Sequence, residues 1–198
     1  FGPTVMAAFA ATVKIDAFAY MPVQDFGNAF STFIAQNYGA KKDDRIRAGL
    51  KGAVATSIVF CLAVSALVWV FARPLMALFV DAQETEVILE GIRYLHIEGA
   101  FYCGIGCLFL LYGLYRALGK PGMSVVLTII SLGTRVALAY TLSAVPSIGV
   151  TGIWWSVPIG WALADMVGIL YYIVRRKQLL TGGNQVQIQI KFRRYITE

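Results

Sequence analysis

The stretch "PVQDFGNAFSTFIAQNYGAKK", residues 22–42, lies inside a long apolar run and yet carries Gln24, Asp25, Asn28, Ser31, Thr32 and Gln36. So many polar groups are costly against lipid, so they must face other helices or a water-filled cavity. With ~100° between helical residues and Lys14 set at zero, all six fall with Lys14 in one stripe about 140° wide. Asp16 falls on the far side. The stripe predicts binding, with Lys14, Gln24, Asn28, Thr32 and Gln36 as candidates to line a substrate cavity. Asp25 sits ~20 Å from the basic end of its helix, near mid-membrane, and is the first candidate for proton or cation coupling. Asp16 is the second candidate, although its depth of ~33 Å reads as an outer-edge charge that reaches water.

Other ionisable residues invite structural readings. Arg135 lies ~21 Å above Pro121, and Asp165 ~15 Å above Arg175, on consecutive antiparallel helices. They are expected to meet as a structural ion pair, since either one alone in the membrane is expensive. His96 and Glu98 stand toward the outer end of a later span. The histidine reads as a hydrogen-bonded interfacial residue, with a proton relay as the chemical alternative. Cys61, Cys103 and Cys107 lie in apolar segments with no His or Cys partners at ligand spacing, so buried thiols and no metal are expected. No Walker loop, dinucleotide glycine pattern, HExxH or nucleophile elbow occurs, so the chain does not read as an enzyme. No cofactor is implied beyond H⁺ or Na⁺ as a coupling ion.

The elements that must carry these residues are membrane helices. Of 198 residues 58% are hydrophobic and only 14% charged, which sets the chain apart from soluble domains. Five segments reach the ~20 apolar residues a bilayer requires, at about 3–38, 48–72, 91–118, 121–144 and 151–174. The fold class is therefore all-α, a polytopic transmembrane bundle over 1–180, with a polar, basic tail at 181–198. "RPLMALFVDAQETEVILEG" reads as a short interfacial piece between the second and third spans. Pro22 predicts a kink, and Gly27 the close approach of another helix. Trp154, Trp155 and Trp161 read as an outer aromatic belt.

Lys41, Lys42, Arg45, Arg47 and Lys51 follow the first span, Arg116 and Lys120 close the third, and Arg175, Arg176 and Lys177 follow the fifth. The positive-inside rule makes these ends cytoplasmic, with the C-terminal tail in the cytosol of a plasma (inner) membrane protein. The net charge of +6 thus marks topology, and no nucleic acid is expected as a partner. The chain begins at Phe1 with no leader pattern, and an odd number of spans suits a piece of a larger protein.

The segment "AAFAATVKIDAFAYMPVQDFGNAFSTFIAQNYGAKK" resembles the eighth transmembrane helix of multidrug and toxic compound extrusion (MATE) transporters. "YLHIEGAFYCGIGCLFLLYGLYRALGKPGM" resembles the tenth helix and the loop that follows. "RVALAYTL" and "GVTGIWWSVPIG" resemble the eleventh and twelfth. The resemblance covers about residues 4–177. It implies one lobe of a two-lobe, twelve-helix antiporter, with the lipid bilayer and a missing N-terminal lobe as partners and a small organic cation as substrate. It implies export of cationic or amphipathic compounds in exchange for H⁺ or Na⁺ by alternating access. It does not supply coupling residues, because the seventh helix, where some members place an acid, has no counterpart in these segments, and the middle of the tenth, residues 104–110, holds no acid. The alternatives are an exporter of lipid-linked saccharides, disfavoured because Lys14 is the stripe's only basic member, and an inactive half-transporter.

Overall fold

In the computed structural model the structure describes residues 2–181. Seven helices follow in order: α1 (Gly2–Gly39), α2 (Asp43–Val70), α3 (Ala72–Ala77), α4 (Thr85–Gly99), α5 (Tyr102–Ala117), α6 (Pro121–Ser143) and α7 (Val150–Thr181). The described residues contain no strand. The tail predicted over 181–198 lies, from residue 182 on, outside the described residues.

Helices α1, α2, α6 and α7 are each long and apolar enough to cross a membrane. The third span differs from the uninterrupted one expected over 91–118. It begins at Thr85 and is broken between α4 and α5, which meet at a bend of 51°. The break follows Gly99, where the backbone turns through Ala100 and Phe101 and the Phe101 N–H donates to the Glu98 carbonyl at 3.0 Å. Glycine permits such a bend by removing the side chain from the inside of the turn. The stretch read as interfacial accordingly splits into the short α3 and the first turns of α4. Helix α2 starts earlier than expected, at Asp43, whose carboxylate suits a helix N-terminus. Pro22 lies inside the unbroken α1.

The centre of the bundle is α5, against which α1, α2, α6 and α7 all pack. Glycine makes the closest crossing: a Cβ on Gly113 of α5 would stand 2.5 Å from the Gly27 carbonyl oxygen of α1. The same device joins α7 to α6, where a Cβ on Gly160 would meet the Ser131 oxygen at 2.6 Å. In a membrane, where lipid is as apolar as the core, such backbone approach is a main source of helix association. Exposed Val59, Leu62 and Val70 on α2, and Val125, Ile129, Leu132 and Val136 on α6, give these helices surfaces suited to lipid.

Candidate functional site

Helix α1 turns Ile15, Asp16, Ala19, Val23, Gly27, Phe30 and Ile34 inward, a repeat of three and four residues that faces α4 and α5. Asp16 thereby enters the core, 3% exposed. Its Oδ2 accepts a hydrogen bond from the Tyr94 hydroxyl at 2.7 Å and its Oδ1 one from the Tyr102 hydroxyl at 2.6 Å. One turn further along α1, Tyr20 donates to Oε1 of Glu98, which is 2% exposed. Tyr94, Glu98 and Tyr102 recur every four residues, so all three line one face through the α4–α5 bend. The other Glu98 oxygen, Oε2, is buried with no hydrogen-bond partner among the described residues.

Aromatic rings seal this cluster. Tyr20 meets Tyr102 and Trp161 edge-on at 5.6 and 5.9 Å between ring centres. Tyr94 meets Trp154 edge-on at 4.9 Å, and Trp154 stacks on Phe9 and donates its indole N–H to Glu90 at 2.9 Å. The Arg135 guanidinium acts electrostatically on both Asp16 and Glu98. Two carboxyls in so dry a site are least costly with one negative charge between them. The arrangement can therefore hold and release a proton: Asp16 has both oxygens occupied as acceptors, while Glu98 keeps one oxygen free to carry hydrogen.

Several expectations change here. Asp16 does not reach water at an outer edge; Tyr94 and Tyr102 of the neighbouring helices cover it. Asp25 is exposed and makes no hydrogen bond or ion pair among the described residues, so the helices present do not desolvate it. Lys14, Gln24, Asn28, Thr32 and Gln36 are exposed with it. The stripe also divides. Lys14 sits 5.7 Å over the Phe79 ring, in a cleft shared with Asp81 and Glu84, whereas Gln24 and Asn28 open onto a second cleft beside Arg116.

Arg135 and Asp165 form no ion pair. Arg135 packs beside Gly160 of α7, and Asp165, five residues on, is rotated by about 140° away from α6. Asp165 points instead at α5, where a Cβ on Gly104 would stand 3.9 Å from its Oδ2, and its Oδ1 stays unpartnered. His96 stacks on Trp69 at 4.6 Å and contacts its carbonyl oxygen at 3.1 Å, away from the acid cluster. Trp154 and Trp161 are core residues, 3% and 4% exposed, and only Trp155 keeps a surface position. The cysteines are free thiols, and no metal-binding group of His, Cys, Asp or Glu occurs among the described residues.

Sequence reasoning noticed Glu98 without ranking it and passed over Tyr20, Tyr94 and Tyr102. The signal was available in the four-residue spacing of Asp16–Tyr20 on one helix and Tyr94–Glu98–Tyr102 on another. Each series puts its members on a single face.

Fold and site together define a polytopic α-helical membrane protein with carboxyls sealed inside its bundle. Residues 1–141 match the MatE family model. The probable multidrug resistance proteins YoeA and YpnP of Bacillus subtilis (strain 168) are 25% and 28% identical to it, over 90% and 87% of this chain. Among solved structures, an outward-facing multidrug resistance MATE family transporter of the MOP superfamily superposes with TM-score 0.84 at 22% identity, covering 90% of this chain and 40% of that one. The MATE transporter ClbM in complex with Rb⁺ gives 0.82 at 25% identity, covering 92% and 42%. The chain belongs to the MatE family. It spans about two fifths of the length of these relatives, 39% of YoeA and 38% of YpnP.

Proposed function

We propose that this chain forms a lobe of a secondary active antiporter, which exports cationic or amphipathic organic compounds in exchange for protons. One observation carries the reading: a buried carboxyl pair, Asp16 and Glu98, caged by Tyr20, Tyr94 and Tyr102, with Glu98 Oε2 unpartnered. Glu98 takes up the proton at that oxygen, and Asp16 stays the fixed anion because two phenols already donate to it. The charge of the pair then changes by one unit on each cycle. The cluster spans α1, α4 and α5, so the change bears on the α4–α5 bend, the one broken span among the described residues. Substrate is held on the exposed polar face of α1, where Asp25 offers a cation its charge and Thr32 and Gln36 offer hydrogen bonds. A second lobe closes that face, and the basic helix ends lie in the cytoplasm of a plasma (inner) membrane protein.

The test is ethidium efflux from vesicles holding the full-length protein, with either a pH or a Na⁺ gradient imposed. Proton-driven efflux lost in Glu98→Gln, with ethidium binding retained, supports the reading. Efflux driven by Na⁺ alone, or unchanged in Glu98→Gln, overturns the proton assignment.

A further inference from the structure

Toward the basic end of the bundle, α1, α5 and α6 enclose a cleft of about 260 Å³ lined by Gln24, Asn28, Tyr112, Arg116, Ser124 and Thr128. Its walls are rich in donors. Arg116 gives one Nη2 hydrogen to Asn28 Oδ1 at 2.8 Å and its Nε hydrogen to the Tyr112 carbonyl at 3.3 Å. These bonds set the guanidinium plane and leave three of its five N–H groups unused, since no other partner occurs among the described residues. From α6, Thr128 Oγ1 donates to Tyr112 Oη at 3.3 Å or to the Ser124 carbonyl at 3.0 Å. The Tyr112 hydroxyl, one turn from Arg116 on α5, is thereby left free to donate, and the Gln24 amide adds a further donor. No carboxylate lines the cleft. Asp165, which acts electrostatically on Tyr112, belongs to α7 and is not among the lining residues.

An exposed arginine fork with hydroxyl and amide donors and no acidic neighbour fits a tetrahedral oxyanion better than a cation. Its position supports the same choice. Arg116 lies in the last turn of α5, with Lys120 just beyond, where helix ends meet lipid headgroups. Beside the cleft, α6 exposes Val125 (58%), Val126 (44%) and Ile129 (64%), an apolar flank suited to acyl chains. We propose that this cleft is a phosphate site that takes the headgroup of an anionic phospholipid. It does not depend on the coupling reading, because neither Asp16 nor Glu98 lines it.

The test is native mass spectrometry of the full-length protein, titrated with dioctanoyl phosphatidylglycerol, dioctanoyl phosphatidylcholine or inorganic phosphate. Phosphatidylglycerol is expected to bind in preference to phosphatidylcholine, with affinity falling ~10-fold or more in Arg116→Gln and less in Arg116→Lys, which keeps charge but loses the fork. Arg73→Gln, on the exposed α3, is the control and should bind as the parent does. Binding of inorganic phosphate with the same dependence on Arg116 supports the phosphate site and moves its source to a soluble ligand. Equal binding of both lipids, or binding unaffected in Arg116→Gln and Arg116→Lys, overturns the proposal. Arg116→Lys decides the matter if the glutamine variant fails to fold.

Discussion

Asp16 and Asp25 stand nine residues apart on α1, about two and a half turns and ~13 Å of rise, which sets them on opposite faces. One is sealed by two phenols and the other is bare. The difference teaches that depth in a membrane helix does not decide which carboxyl is desolvated. The neighbours on each face decide it. Asp25 lies as far from the midpoint of α1 as Asp16 does, on the other side, yet it is exposed. Asp16 lies nearer the outer end and is enclosed because Tyr94 and Tyr102, on a broken span, wrap around it.

The sharpest way to break that contrast is to remove each carboxyl and follow stability. Asp16→Ala leaves two buried phenols without acceptors and should destabilise the protein by about 2–5 kcal/mol, read as a lowered thermal midpoint in detergent. Tyr102→Phe deletes one of those bonds and should cost about 1.5–3 kcal/mol, typical of a hydrogen bond to a charged group. Asp25→Asn alters an exposed group that holds nothing in place and should change stability by less than about 0.5 kcal/mol. Equal effects of Asp16→Ala and Asp25→Asn would remove the distinction. A sharper probe needs no energies: a cysteine at position 25 should react rapidly with a membrane-impermeant maleimide in this chain alone, while one at position 16 should stay unreactive.

Much of the fold was legible in the sequence because membrane spans announce themselves by length and composition. The boundaries of α6 are those expected to within a residue, and Gly27 does face a close neighbour, Gly113. The break at Ala100–Phe101 was not legible, since a glycine followed by aromatic residues does not by itself distinguish a bend from a straight apolar helix. The polar face of α1 could be drawn from periodicity alone. Periodicity could not show that this face lies open while the opposite one carries the buried acid, because burial depends on which helix arrives. Arg135 and Asp165 failed to pair for a similar reason. Height along two antiparallel helices matched them roughly, but rotation of α7 between Gly160 and Asp165 aimed them at different neighbours.

The most direct measurement compares Asp16→Asn with Asp25→Asn in the full-length protein, reading gradient-driven efflux and equilibrium substrate binding in the same vesicles. The account predicts that Asp16→Asn abolishes the response to the pH gradient while substrate still binds, and that Asp25→Asn weakens binding of a cationic substrate but leaves the response to pH intact. The reverse pattern, with coupling lost only in Asp25→Asn, would contradict the assignment of coupling to the buried pair.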